Sequence, residues 1–86
     1  MDYIKYLNQQ IKRLELIQKY QKKADSSNKE KTKNYYIEGM RLLFQDGENI
    51  ENYLKILEEY REALISRKDM IDKLYQEINI IKHLKV

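Results

Sequence analysis

The sequence predicts an all-α fold: an antiparallel bundle of about three helices with a long C-terminal helix and coiled-coil-like packing. Three observations predict it. Proline is absent and glycine occurs only twice in 86 residues, so the chain has few places to turn. Charged residues make up 36% of the chain, close to the profile of long helices and coiled coils. Apolar residues recur at spacings of three and four, a helical period that does not fit a strand. With 42% hydrophobic residues the chain reads as one domain, residues 1–86, near the lower size limit for an unaided core.

The first helix is expected at about 2–23. Asp2 is a good N-cap, and Ile4, Leu7, Ile11 and Leu14 form its apolar stripe. The stripe rolls on to Ile17, Tyr20 and Ala24, while Gln18 and Gln21 occupy positions where it would have continued. Burial is therefore expected to weaken toward the helix end.

"DSSNKEKTKN" is the most polar stretch, and its Asp-Ser-Ser-Asn cluster reads as a loop. Ser27 with Glu30 three residues later fits a capping box, which starts the second helix at about 28–45. Tyr36, Met40, Leu43 and Phe44 form its apolar face, and Ile37 widens it.

Asp46-Gly47 predicts a corner. A mid-helix glycine costs about 1 kcal/mol relative to alanine, and Asp46 can cap a helix that begins at Gly47 or Glu48. A third helix is then expected at about 48–84. The set 36, 40, 43, 47, 50, 54, 57, 61, 64, 68, 71, 75 and 78 alternates four and three without a slip, a 3.5-residue repeat that is apolar except at Gly47, Arg61 and Lys68. Tyr53, Tyr60, Leu74 and Ile81 lie beside it and widen the face. Ser66 with Asp69 is a second possible cap, but "ALISRKDMI" lacks glycine and proline, which favours continuity. A helix this long outreaches either earlier helix. Either helices one and two line up end to end along it, or a second chain covers part of its face. A corner at Gly47 lets the chain largely satisfy its own core.

Composition excludes most chemistry. There is no cysteine, so disulfides, thiolate metal sites and cysteine nucleophiles are out. The lone histidine, His83, has no second nitrogen ligand, and no Glu-x-x-His pair for a di-iron bundle occurs. "DGENIE" lacks the alternate oxygen ligands of a calcium loop, since Ile50 and Leu57 fall on ligand positions. No phosphate-binding glycine loop or nucleophile elbow is present. The chain is expected not to be an enzyme and to need no cofactor. No apolar run is long enough for a signal peptide or a membrane span, so a cytoplasmic location is expected. Heavy use of Lys, Ile, Asn and Tyr points to an AT-rich genome, such as a low-GC bacterium or its phage.

The net charge of +3 is unevenly spread. Residues 1–33 carry nine Lys/Arg against four Asp/Glu, a net of +5. Residues 34–65 carry three against seven, a net of −4, and residues 66–86 five against three, a net of +2. Lys5, Lys12 and Lys19 recur every seven residues with Lys23 on the same arc, and Lys29, Lys31 and Lys33 follow in the loop. This basic face suits phosphates or an acidic protein, or is simply the solvated side of the helix. Glu51, Glu58 and Glu62 form an acidic arc away from the apolar stripe, and the two rows of opposite charge could orient one helix against another. Of eight tyrosines, Tyr3, Tyr36, Tyr53, Tyr60 and Tyr75 lie on or beside the stripes and Tyr6, Tyr20 and Tyr35 sit further round, a residue suited to core edges and to interfaces. The function expected is a non-enzymatic protein-interaction module, a small regulator, inhibitor or adaptor, with self-association into a homodimer plausible. The alternative is a nucleic-acid-binding accessory protein that uses the basic face of helix one.

Overall fold

A computed structural model describes residues 2–84 and shows three α-helices, α1 (Tyr3–Ser26), α2 (Glu30–Leu43) and α3 (Tyr53–Leu84). α1 begins as the sequence predicts: the Asp2 side chain accepts a hydrogen bond from the Ile4 amide at 3.0 Å. It runs three residues beyond the expected end at Lys23, because Ala24 is buried beneath α2 rather than released to solvent.

α2 starts at Glu30, two residues later than expected, and the Ser27–Glu30 capping box does not form. Ser27 Oγ instead accepts from the Lys29 amide, a local turn that competes with the cap. Lys29 occupies the N-cap position without a side-chain hydrogen bond. Met40 is the buried residue of α2, with Leu43 and Phe44 packed beside it, while Ile37 stays exposed. Gly39 allows a close approach: an added Cβ would lie 3.1 Å from the Tyr20 ring of α1.

The corner at Gly47 is present, with φ at +84° in the left-handed region that favours glycine. The next helix does not start there. Residues 44–52 form a longer connection, and α3 begins at Tyr53 rather than 48. The turn that leads into it is braced by Asn49 and Asn52, not by Asp46. Asn49 Oδ1 accepts from the Asn52 amide at 3.1 Å, and Asn52 Oδ1 accepts from the Asn49 amide at 2.8 Å. This reciprocal pair satisfies two donors, as a capping box does. From there α3 runs without interruption through Ser66 and Asp69, as the continuity of "ALISRKDMI" predicts.

α1 is antiparallel to both other helices. Tyr20 meets Tyr36 and Arg13 meets Leu43 on one side; Gln21 meets Tyr53, Tyr6 meets Tyr60 and Tyr3 meets Arg67 on the other. α2 and α3 therefore run in the same sense, and their backbones do not come close to each other. The connection carries the chain back along α1 from the level of Arg13 to that of Gln21, about 12 Å. Its Phe44 ring lies 5.9 Å from that of Tyr53. The core of Ile11, Leu14, Ile17, Met40, Tyr53 and Leu57 sits where the three helices and this connection converge. Burying each large core side chain contributes about 1.5–3 kcal/mol.

The outline is a rod of 70 × 24 × 19 Å, not the self-satisfied core that a corner at Gly47 led us to expect. Helices one and two do not line up end to end along the third. α1 covers α3 only as far as Arg67, and α2 does not run along it.

Candidate functional site

The positions of α3 that meet α1 define a heptad seam. Tyr53 and Leu57 are fully buried, and Tyr60 and Leu64 pack against the core cluster. The spacing 53, 57, 60, 64 is four, three, four. Continued without a slip it passes Arg67 and reaches Ile71, Leu74, Ile78 and Ile81. The seam shares Leu57, Leu64, Ile71 and Ile78 with the set that the sequence suggests, but takes Tyr53, Tyr60 and Leu74 in place of Leu54, Arg61 and Tyr75, and Leu54 accordingly lies 48% exposed. Both sets fit a 3.5-residue period, and only packing selects between them.

Beyond Arg67 the seam has no partner among the described residues. Leu74, Ile78 and Ile81 remain 53%, 46% and 52% exposed, against 0% and 1% for Tyr53 and Leu57 on the same stripe. Met70, Tyr75, Ile80 and Leu84 beside them are also exposed. Isolated exposed leucines are ordinary, whereas a contiguous apolar stripe marks an interaction surface. Arg67 stands at the boundary. It occupies a seam position, but its guanidinium lies 5.8 Å from the Tyr3 ring at the start of α1.

The junction of α1, the end of α2 and the connection is held by a polar clasp. Arg13 donates from Nη1 to Glu48 Oε1 at 2.6 Å and to the Leu43 carbonyl at 3.0 Å. Its Nη2 donates to Glu48 Oε2 at 2.8 Å and to Gln10 Oε1 at 2.8 Å. One guanidinium thus joins α1, the end of α2 and the connection. Its charge also sits at the C-terminal, negative end of the α2 dipole. The hydrogen bond from Arg13 is the main reason that the Glu48 carboxyl lies below the usual 4.5, with burial opposing it. Nothing in the sequence flags this pair, because its members are 35 residues apart.

The basic face is present as a row, though not as a site with a partner. Lys5, Lys12, Lys19, Lys23, Lys29, Lys31 and Lys33 are all exposed. Lys23 lies over the Tyr36 ring at 5.6 Å. At about 100° per residue, Lys5, Lys12 and Lys19 point roughly away from α3. Glu51, Glu58 and Glu62 are exposed on α3 and the connection before it, and Glu58 pairs within its own helix with Arg61 at 3.7 Å. The two charged rows are not brought together within the chain. The ion pair between α1 and α3 has the opposite polarity, with Arg61 of α3 on Glu15 of α1 at 3.3 Å.

Among the described residues no group of three or more His, Asp or Glu side chains is arranged to hold a metal ion, and no helix is long and apolar enough to cross a membrane. An open groove lined by Ala24, Ile37, Met40, Phe44 and Ile50 lies where the connection crosses α2. Compared with known proteins, the chain matches no family model, no curated protein and no solved structure.

Proposed function

We propose that this protein is a non-enzymatic interaction module, of the regulator, inhibitor or adaptor kind, that binds through the free half of α3. The observation that supports it most is the heptad seam, fully buried at Tyr53 and Leu57, partly buried at Tyr60 and Leu64, half-buried at Ile71 and exposed at Leu74, Ile78 and Ile81. Such a seam is read by another helix laid against it, with the apolar knobs supplying affinity and the flanking charges supplying register. The test compares the wild type with a Leu74→Asp/Ile78→Asp variant as bait in an extract of the source cell. Captured proteins are then purified and their affinity remeasured. The expected result is a partner that binds the wild type and is weakened at least 100-fold by the variant. Equal binding by both would refute the reading.

A second reading rests on the lysine row. Every ion pair among the described residues uses an arginine, which leaves Lys5, Lys12 and Lys19 exposed without an ion-pair partner. A nucleic-acid accessory protein would use this face. Its affinity for duplex DNA or RNA would then fall steeply between about 50 and 200 mM salt. Lys12→Glu/Lys19→Glu would abolish retention, and an absence of binding at low salt would dismiss it.

A further inference from the structure

We infer that the occupant of the free seam is a second copy of this chain, packed antiparallel so that its own free seam is covered in the same contact. The inference rests on the reading of α3 as the interaction surface, and it names the partner. It starts from the interface already present. α1 lies antiparallel along the seam of α3 and stops at Tyr3, opposite Arg67. An arm of a second α3, antiparallel to the first, continues the line that α1 leaves. It uses the same heptad spacing and the same face. Its C-terminal end then points at the N-terminus of α1, so the two helix dipoles stand head to tail.

The layers follow from the spacing. Ile71 packs against the partner's Ile81, and Leu74 against the partner's Ile78, with the two-fold axis near Gln76. The arms overlap over residues 68–84, about 26 Å at 1.5 Å per residue. Two facing strips of that length bury about 1,000 Å² in total, the lower edge of specific protein pairing. A dissociation constant of about 1–100 μM is therefore expected.

The parallel alternative has better flanking charges. It would set Glu77 beside the partner's Lys82, whereas the antiparallel pair sets Glu77 beside the partner's Glu77 and Lys68 near the partner's Lys82. Sterics outweigh this. In a parallel pair both seams face the axis, and above Arg67 each seam is already occupied by its own α1, a helix about 10 Å across. The two copies of α1 would claim the same space. Exposed charge pairs move an equilibrium by less than about tenfold, while overlapping helices forbid the arrangement.

The test needs three measurements on the full chain. Light scattering from about 1 μM to 1 mM is expected to show a concentration-dependent dimer, and Leu74→Asp/Ile78→Asp is expected to stay monomeric with unchanged helicity in residues 3–64. Small-angle scattering of the dimer is expected to give a longest dimension of about 115 Å, two rods overlapping along their arms. Glu77→Gln is expected to tighten the dimer two- to fivefold by removing the like-charge contact. A longest dimension near that of one rod, or a dimer weakened by Glu77→Gln, would indicate the parallel pair and overturn the inference. A monomer throughout the range would also overturn it. In that case a different protein, captured by the wild type and lost with the seam variant, would leave the broader interaction reading standing.

Discussion

At the scale of single residues, Arg13 has the widest reach. Its fork holds the two carboxylate oxygens of Glu48, the last carbonyl of α2 and the Gln10 side chain. With side chains 15% and 7% exposed, the Arg13–Glu48 pair is sheltered enough that removing one partner leaves an uncompensated charge. Arg13→Ala is expected to destabilise the fold by about 3 kcal/mol in urea titration. Arg13→Lys is expected to recover only part of that, because an ammonium cannot make the bidentate contact. The pH dependence has a defined sign. The folded carboxyl of Glu48 lies below its ordinary value of 4.5, chiefly through the hydrogen bond from Arg13. Its stabilisation is fully present above that value and is lost as pH falls through the lower, folded one. Chemical denaturation between pH 6 and 3 is thus expected to show a loss that Glu48→Gln diminishes. Gly47 shows the same economy of position. An added Cβ would meet nothing within 4 Å, so Gly47→Ala is expected to cost only the left-handed backbone penalty, about 1–2 kcal/mol by thermal unfolding.

At the scale of elements, α3 is two helices in all but backbone. Residues 53–64 are held by α1, and residues 68–84 hold themselves. A free segment of that length is a marginal helix in water, because nucleation is unfavourable. Here the packed half supplies the nucleus, and the arm only propagates it. Lys82 and His83 in the last turn suit the negative end of the dipole. Amide hydrogen exchange in the monomer is expected to show protection near the global value for 57–64 and a steep gradient toward Leu84. Element existence was legible in the sequence because the periodicity was long and the turn residues few. Element ends were less so. Ser27-x-x-Glu30 resembled a cap and formed a different local turn, while Asn49-x-x-Asn52, equally readable, braces the turn that leads into α3. The stripe register was hidden for a different reason. Leu54 and Tyr53 are both apolar, and only the position of α1 decides which one faces inward.

At the scale of the whole molecule, shape follows from which helix touches which. The radius of gyration is 19.3 Å, whereas a compact chain of this length would have about 12 Å. The sequence did announce a third helix too long for its partners, and it left open what would cover the excess. It could not announce that α2 would not lie alongside α3, because that depends on a connection of residues 44–52 turning back along α1. The lysine row and the glutamate arc were legible as rows and misleading as a pair, since helix pairing rather than net charge fixed which faces met.

Both close helix pairings are made on α1, the first of them to leave the ribosome. The α1–α2 hairpin closes on contacts that are near in sequence, so it can form while α3 is still being made. The long helix then attaches to a finished template, and its distal half has nothing on which to settle. A nascent chain of this design exposes its stickiest surface last. A premature stop in α3 would shorten the arm and spare the hairpin, whereas a lesion in α1 would unmake both pairings at once.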